Sequence, residues 1–156
     1  MLLVNATIYD KDFIPRPYDM KVEDGKITEL GPRGSVKAAE GEEILDLTGK
    51  TITPGMLDNH IHGAMGKDVM DGEFESLDTI SRYLASKGVT SFLPTTMTMG
   101  VEDLKPVFEI QEKLSGANML GYHMEGPFIA VEKKGAQNEK YVRKPTVEEM
   151  AIYGDN

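Results

Sequence analysis

The chain has 156 residues, 40% hydrophobic and 28% charged, a balance that suits a globular fold with a real core. Its formal net charge of −9 argues against nucleic acid or an anionic membrane as the main partner, although a local basic site could still take an anionic small substrate. Cysteine is absent, which excludes a disulfide framework and Cys-based metal or nucleophile chemistry. No stretch approaches the roughly 18 apolar residues of a membrane span, and the N-terminus has no basic leader, so a soluble, cytoplasmic protein is expected.

Residues 1–53 read as a small β domain, sandwich-like in character. Leu2–Val4 runs toward Ile8 and Tyr9, and Met20–Val22 and Lys26–Leu30 flank Asp24-Gly25. An Asp-Gly pair between alternating apolar residues signals a hairpin, because a type I′ turn needs positive φ at both central positions. Ile44–Leu47 and Thr51–Thr53 follow as short strands. The segment holds no histidine, and its acidic residues sit mostly beside turns, so its role is read as structural.

From Pro54 to Asn156 the pattern changes to alternating strands and helices. Met56–His62 reads as a strand, and 63–72 as a glycine-containing loop. A helix is expected after Ser76, with Leu77, Ile80 and Leu84 at helical spacing and Gly88 as its stop. Thr90–Leu93 is a second strand. A second helix places Leu104, Val107, Phe108, Gln111 and Leu114 on one face and ends at Gly116. Pro106 suits that helix only if Asp103 or a near neighbour caps it, which puts the proline in the first turn. Met119–Glu125 is a third strand. Strand centres about 31 residues apart match the repeat of an eight-unit barrel. The expected fold is therefore α/β: a partial TIM-type (β/α) barrel of three βα units, with a fourth strand due where the chain ends at 153–156. Three strands cannot close a barrel, so open sheet edges predict either a larger whole or self-association.

Two clusters could carry chemistry. Side chains alternate along a strand, so His60 and His62 share a face, with Asp58 below them. Two imidazoles at a barrel strand's C-terminal end can reach one divalent ion at ~2.0–2.1 Å. A solvated histidine pair is the bland alternative. His123 and Glu125 share a face by the same alternation, and an inward carboxylate needs a metal, an ion pair or hydrogen bonds. The loop Lys133–Asn138 is a weaker signal: its Gly135-Ala136 permits close backbone approach and Gln137 could orient a polar ligand, yet a Lys-rich loop is commonly solvated surface.

Asp46-Leu47-Thr48-Gly49-Lys50, Thr53-Pro54-Gly55-Met56-Leu57-Asp58 and His60-Ile61-His62 together resemble the entry segment of amidohydrolase-superfamily enzymes. That pattern alone leaves dihydroorotases, allantoinases, imidazolonepropionases and deacetylases open. Gly88–Thr95, His123-Met124-Glu125-Gly126-Pro127-Phe128 and Lys134-Gly135-Ala136-Gln137 resemble the N-acetylglucosamine-6-phosphate deacetylase family. The resemblance implies a metal-dependent barrel enzyme, with a small β domain built from both chain ends, that removes acetate from the phosphorylated amino sugar. By position, Glu125 would be a metal ligand, and His60 and His62 would complete a second metal position. Ala136 and Gln137 would contact the substrate, with His62 close to the sugar. The implied ion is zinc or iron, the implied partners are a phosphosugar and a second copy of the chain, and His123 receives no catalytic role. The family's catalytic aspartate and two further histidine ligands would lie beyond residue 156, so the isolated chain is expected to be inactive. The alternatives are another amidohydrolase, such as a cyclic-amide hydrolase, and a non-catalytic half-barrel scaffold.

Overall fold

In the computed structural model, which describes residues 1–154, Asp24 and Gly25 take φ of 50° and 73°, the two positive values that the Asp-Gly hairpin requires. That turn joins β2 (Pro15–Glu23) to β3 (Lys26–Pro32), and both extend an antiparallel meander begun by β1 (Leu2–Tyr9). β4 (Ile44–Asp46) and β5 (Thr51–Ile52) add to β1 in parallel, giving one five-stranded sheet. Period-two alternation buries Ala6, Ile8 and Met20 against Leu3, Tyr18, Val22, Leu47 and Ile52. The sheet forms a compact unit of its own, Met1–Pro54. Its polar groups are paired. Asp19, 2% exposed, accepts from the N–H groups of Asn5 and Gly34. The Ala39 N–H, with the N-terminal amine and Lys21, holds the Glu42 carboxyl down at about 2.

The second unit begins at Gly55. β6 (Met56–Ile61), β9 (Val89–Pro94) and β10 (Asn118–Met119) form a parallel sheet in the order β10-β9-β6. Parallel neighbours need crossovers, and α1 (Phe74–Ser86) and α2 (Val101–Phe108) supply them. Leu77, Ile80 and Leu84 of α1 pack with Phe92, Val107, Ile110 and Leu114 in one core. Full burial of such side chains contributes roughly 1.5–3 kcal/mol each. The segment leading into β10 is stapled to α1: Ser81 Oγ donates to the Ala117 carbonyl and accepts from the Gly116 N–H, both at 3.0 Å, while Asp78 accepts from Ser115. Gly116 is obligatory there, since a Cβ would stand 2.4 Å from the Ser81 backbone.

Five expectations change. The 63–72 loop is ordered: β7 (Gly63–Ala64) and β8 (Lys67–Asp68) make a hairpin through Met65 and Gly66, both at positive φ, and a 3₁₀ turn follows at Val69–Asp71. α1 starts at Phe74, so Ser76 lies inside it, buried, with its hydroxyl on Asp71. α2 is capped by Gly100 and ends at Phe108, with Pro106 inside it rather than in the first turn. Proline deprives the Glu102 carbonyl of its partner, and a helix this short has few other bonds. Ile110 and Leu114 are buried from irregular chain instead. The third strand is regular only at Asn118–Met119; Gly121, at φ 145°, lifts the chain off the ladder, which resumes as a single parallel bridge between Thr95 and His123. Finally, Val147–Tyr153 is α3, so the stretch where a fourth strand was due begins with a helix end, while Asp155 and Asn156 lie outside the described residues. Among the described residues, no helix is long and apolar enough to cross a membrane.

Candidate metal centre

His60 and His62 emerge at the C-terminal end of β6, two residues apart, and so project to the same side. The parallel bridge from Thr95 to His123 brings the segment carrying Glu125 to the same end of the sheet. His60 Nε2 and His62 Nε2 stand 3.2 Å apart, and Glu125 Oε2 lies 3.2 Å from the first and 3.0 Å from the second. The side chains are 47, 35 and 33% exposed, so an ion could reach the cluster from solvent. Among the described residues, this is the one His, Asp and Glu group that could hold a metal ion.

The hydrogen bonding around the cluster leaves a place that a cation would fill. His62 Nδ1 lies 3.1 Å from the Thr95 carbonyl oxygen, which can only accept, so Nδ1 carries the proton. In the neutral ring the Nε2 lone pair then faces Glu125 Oε2, and two acceptors confront each other. That oxygen is buried and has no hydrogen-bond partner. A buried, unsatisfied carboxylate oxygen costs free energy unless something positive sits beside it. Donors bound at ~2.0–2.1 Å to a tetrahedral ion lie about 3.3 Å apart, close to the three separations seen. The donor set therefore fits a divalent ion.

Neighbouring groups hold the donors in place. Asp58 Oδ1 accepts from the His60 N–H at 3.1 Å. Thr95, fully buried, accepts from the Ile61 N–H through Oγ1 at 3.1 Å, and its hydroxyl is within 3.4 Å of His123 Nδ1. The His123 ring packs edge-on against His60, 4.9 Å between centroids, without offering a donor atom to the cluster. Gln137 is buried and engaged: its Oε1 accepts from the Thr98 N–H at 2.8 Å, while Ala136 is exposed. Of the residues singled out by sequence, the structure thus unites His60, His62 and Glu125, and ties Gln137 to Thr98. Thr95 and Thr98 escaped the sequence reading. The run Pro94-Thr95-Thr96-Met97-Thr98 at a strand end, unusually rich in hydroxyls, was the available signal.

No protein-family model matches the chain. Its sequence is 35% identical over 141 residues to N-acetylglucosamine-6-phosphate deacetylase of Vibrio furnissii, covering 83% of this chain and 35% of that protein. It is 34% identical over 151 residues to the Bacillus subtilis deacetylase of the same name, covering 92% of this chain and 38% of that protein. The crystal structure of N-acetylglucosamine-6-phosphate deacetylase from Pasteurella multocida superposes with a TM-score of 0.82 at 30% identity, over 97% of this chain and 40% of that one. The chain spans little more than a third of the length of the curated relatives it matches.

Proposed function

Because the chain belongs, over the stretch it covers, to the N-acetylglucosamine-6-phosphate deacetylase family, we propose that the whole protein removes acetate from the 2-acetamido group of N-acetylglucosamine 6-phosphate to give glucosamine 6-phosphate. The observation that carries the reading is the convergence of His60, His62 and a hydrogen-bond-free Glu125 oxygen within 3.0–3.2 Å. Glu125 would bind a divalent ion, zinc or iron, and His60 and His62 would complete a second position. Such an ion supplies Lewis acidity that polarises an amide carbonyl and acidifies water.

The chain's own part is to hold donors and substrate. The Thr95 carbonyl fixes the proton of His62 on Nδ1 and keeps Nε2 directed at the cluster. Asp58 holds the backbone of His60. Ala136 and Gln137 contact the sugar, with His62 near it. The base that takes the proton of water and returns it to the leaving amine is assigned to an aspartate outside these residues. The parallel order β10-β9-β6 supports reading the second unit as the opening of a TIM-type barrel, and the five-stranded sheet supports reading residues 1–53 as part of a small β-sandwich-like domain. A cytoplasmic homodimer is the expected form of the complete enzyme.

The test is release of glucosamine 6-phosphate by the purified whole protein. Activity that stops on chelation and returns with zinc or ferrous iron supports the reading; none under any metal condition overturns it. The 156-residue chain alone is expected to bind metal weakly and to release no product.

A further inference from the structure

Thr98 stands between Gln137 and Glu125. Its N–H donates to Gln137 Oε1 at 2.8 Å, and its hydroxyl donates to the main-chain oxygen of Glu125 at 3.2 Å. Both linking side chains are buried, Thr98 at 1% and Gln137 at 6% exposure. The chain after Glu125 is pressed onto this link: Gly126 takes φ 77°, and a Cβ there would lie 2.0 Å from Thr98 Oγ1. No larger residue could follow Glu125 without displacing Thr98. Lys134 Nζ reaches the main-chain oxygen of Gln137 at 3.5 Å and so ties the start of the loop to its end.

The Gln137 side chain has one acceptor atom, Oε1, which takes the Thr98 N–H, and its Nε2 is directed at Met97 Sδ, 3.8 Å away. An amide whose purpose was solely to orient a ligand would not be buried with its oxygen committed inward. We propose that Gln137, acting through Thr98, is a positioning residue for Glu125, setting the height at which that carboxylate meets His60 and His62. The loop that carries Ala136 and the segment that carries the acidic donor are then one mechanical unit. Whatever moves the loop moves Glu125. The inference rests on the reading of His60, His62 and Glu125 as a metal centre.

The test is zinc titration of the metal-free whole protein against a competing chelator dye, with melting temperature recorded in parallel. Gln137→Leu removes the acceptor at similar size, and Thr98→Val removes only the hydroxyl while keeping the N–H bond to Gln137. Both are expected to weaken zinc binding about 10–100-fold, the range typical of partners that orient metal ligands. Thr98→Ser, which keeps both bonds, should bind zinc like the wild type. If Gln137→Leu fails to fold, Thr98→Val decides alone. A purely structural role would lower the melting temperature and leave zinc affinity intact, and that result overturns the inference. Wild-type protein that takes up no zinc defeats the metal-centre reading and this inference with it; tight wild-type binding with unchanged variants defeats the inference only.

Discussion

The two units differ in one carboxylate: the second satisfies Asp71, Asp78 and Glu149 much as the first satisfies its own constrained acids, but it leaves Glu125 apart. In the first, buried or constrained acids are satisfied: Asp19 by two backbone N–H groups, Glu42 by Ala39, the N-terminal amine and Lys21, and Asp46 by Thr48 and Asn5. In the second, Glu125 turns a buried oxygen with no hydrogen-bond partner toward two imidazole nitrogens. A satisfied acid stabilises the fold, whereas an unsatisfied one is retained at a cost that function must explain. The difference marks Glu125 out from the satisfied carboxylates without reference to any relative.

Substitution should split the units along that line. The largest effect is expected for Glu125→Gln in the whole protein: zinc affinity falls by more than ~100-fold, since a direct donor should exceed the outer partners' range, and the proposed deacetylation is lost. The melting temperature of the metal-free protein should hold or rise, because an unsatisfied charge is removed; a clear fall would make Glu125 an ordinary structural acid. Asp19→Ala should do the reverse. It strands the N–H groups of Asn5 and Gly34 and costs about 1–3 kcal/mol in denaturant unfolding, with zinc affinity unchanged.

A gentler probe is acid. Glu42 has its carboxyl held at about 2, below its ordinary 4.5, so the stability it contributes is complete above 4.5 and is lost as pH falls toward 2. Unfolding followed between those values should be less pH-dependent in Glu42→Gln than in the wild type; equal slopes would remove Glu42 from the account. Smallest of all, Gly25→Ala should cost ~1 kcal/mol, read from the denaturation midpoint. Nothing lies within 4 Å of a Cβ there, so the cost is that of φ 73° alone.

What the sequence disclosed was whatever depends on short-range periodicity. Asp24-Gly25 announced its hairpin because only a few residue pairs tolerate two positive φ values, and His60-x-His62 announced a shared face because strands alternate. The spacing of strands about 31 residues apart correctly anticipated three parallel neighbours. Failures came where tertiary contacts overrode period. Leu114 has helical spacing with Leu104 and Val107, yet the chain leaves the helix after Phe108 and buries Leu114 from a loop. Apolar alternation predicts a third strand continuous through Gly121, whose φ of 145° breaks it. α3 was missed although Thr146-x-x-Glu149 is a helix-start pattern; Thr146 does cap it, accepting from the Glu149 N–H, while the Glu149 side chain pairs with Arg143. Thr95 and Thr98 are harder to read for a different reason: the hydroxyl-rich run Pro94–Thr98 marks the place, but their importance lies in which distant N–H and carbonyl groups they meet, and that is not local.

Zinc stoichiometry of the whole protein, after metal removal and titration, tests whether His60, His62 and Glu125 hold an ion. The double variant His60→Gln, His62→Gln is expected to bind one equivalent per chain fewer than the wild type, with its melting temperature unchanged in the absence of metal. Equal stoichiometry and affinity in the two proteins would contradict it.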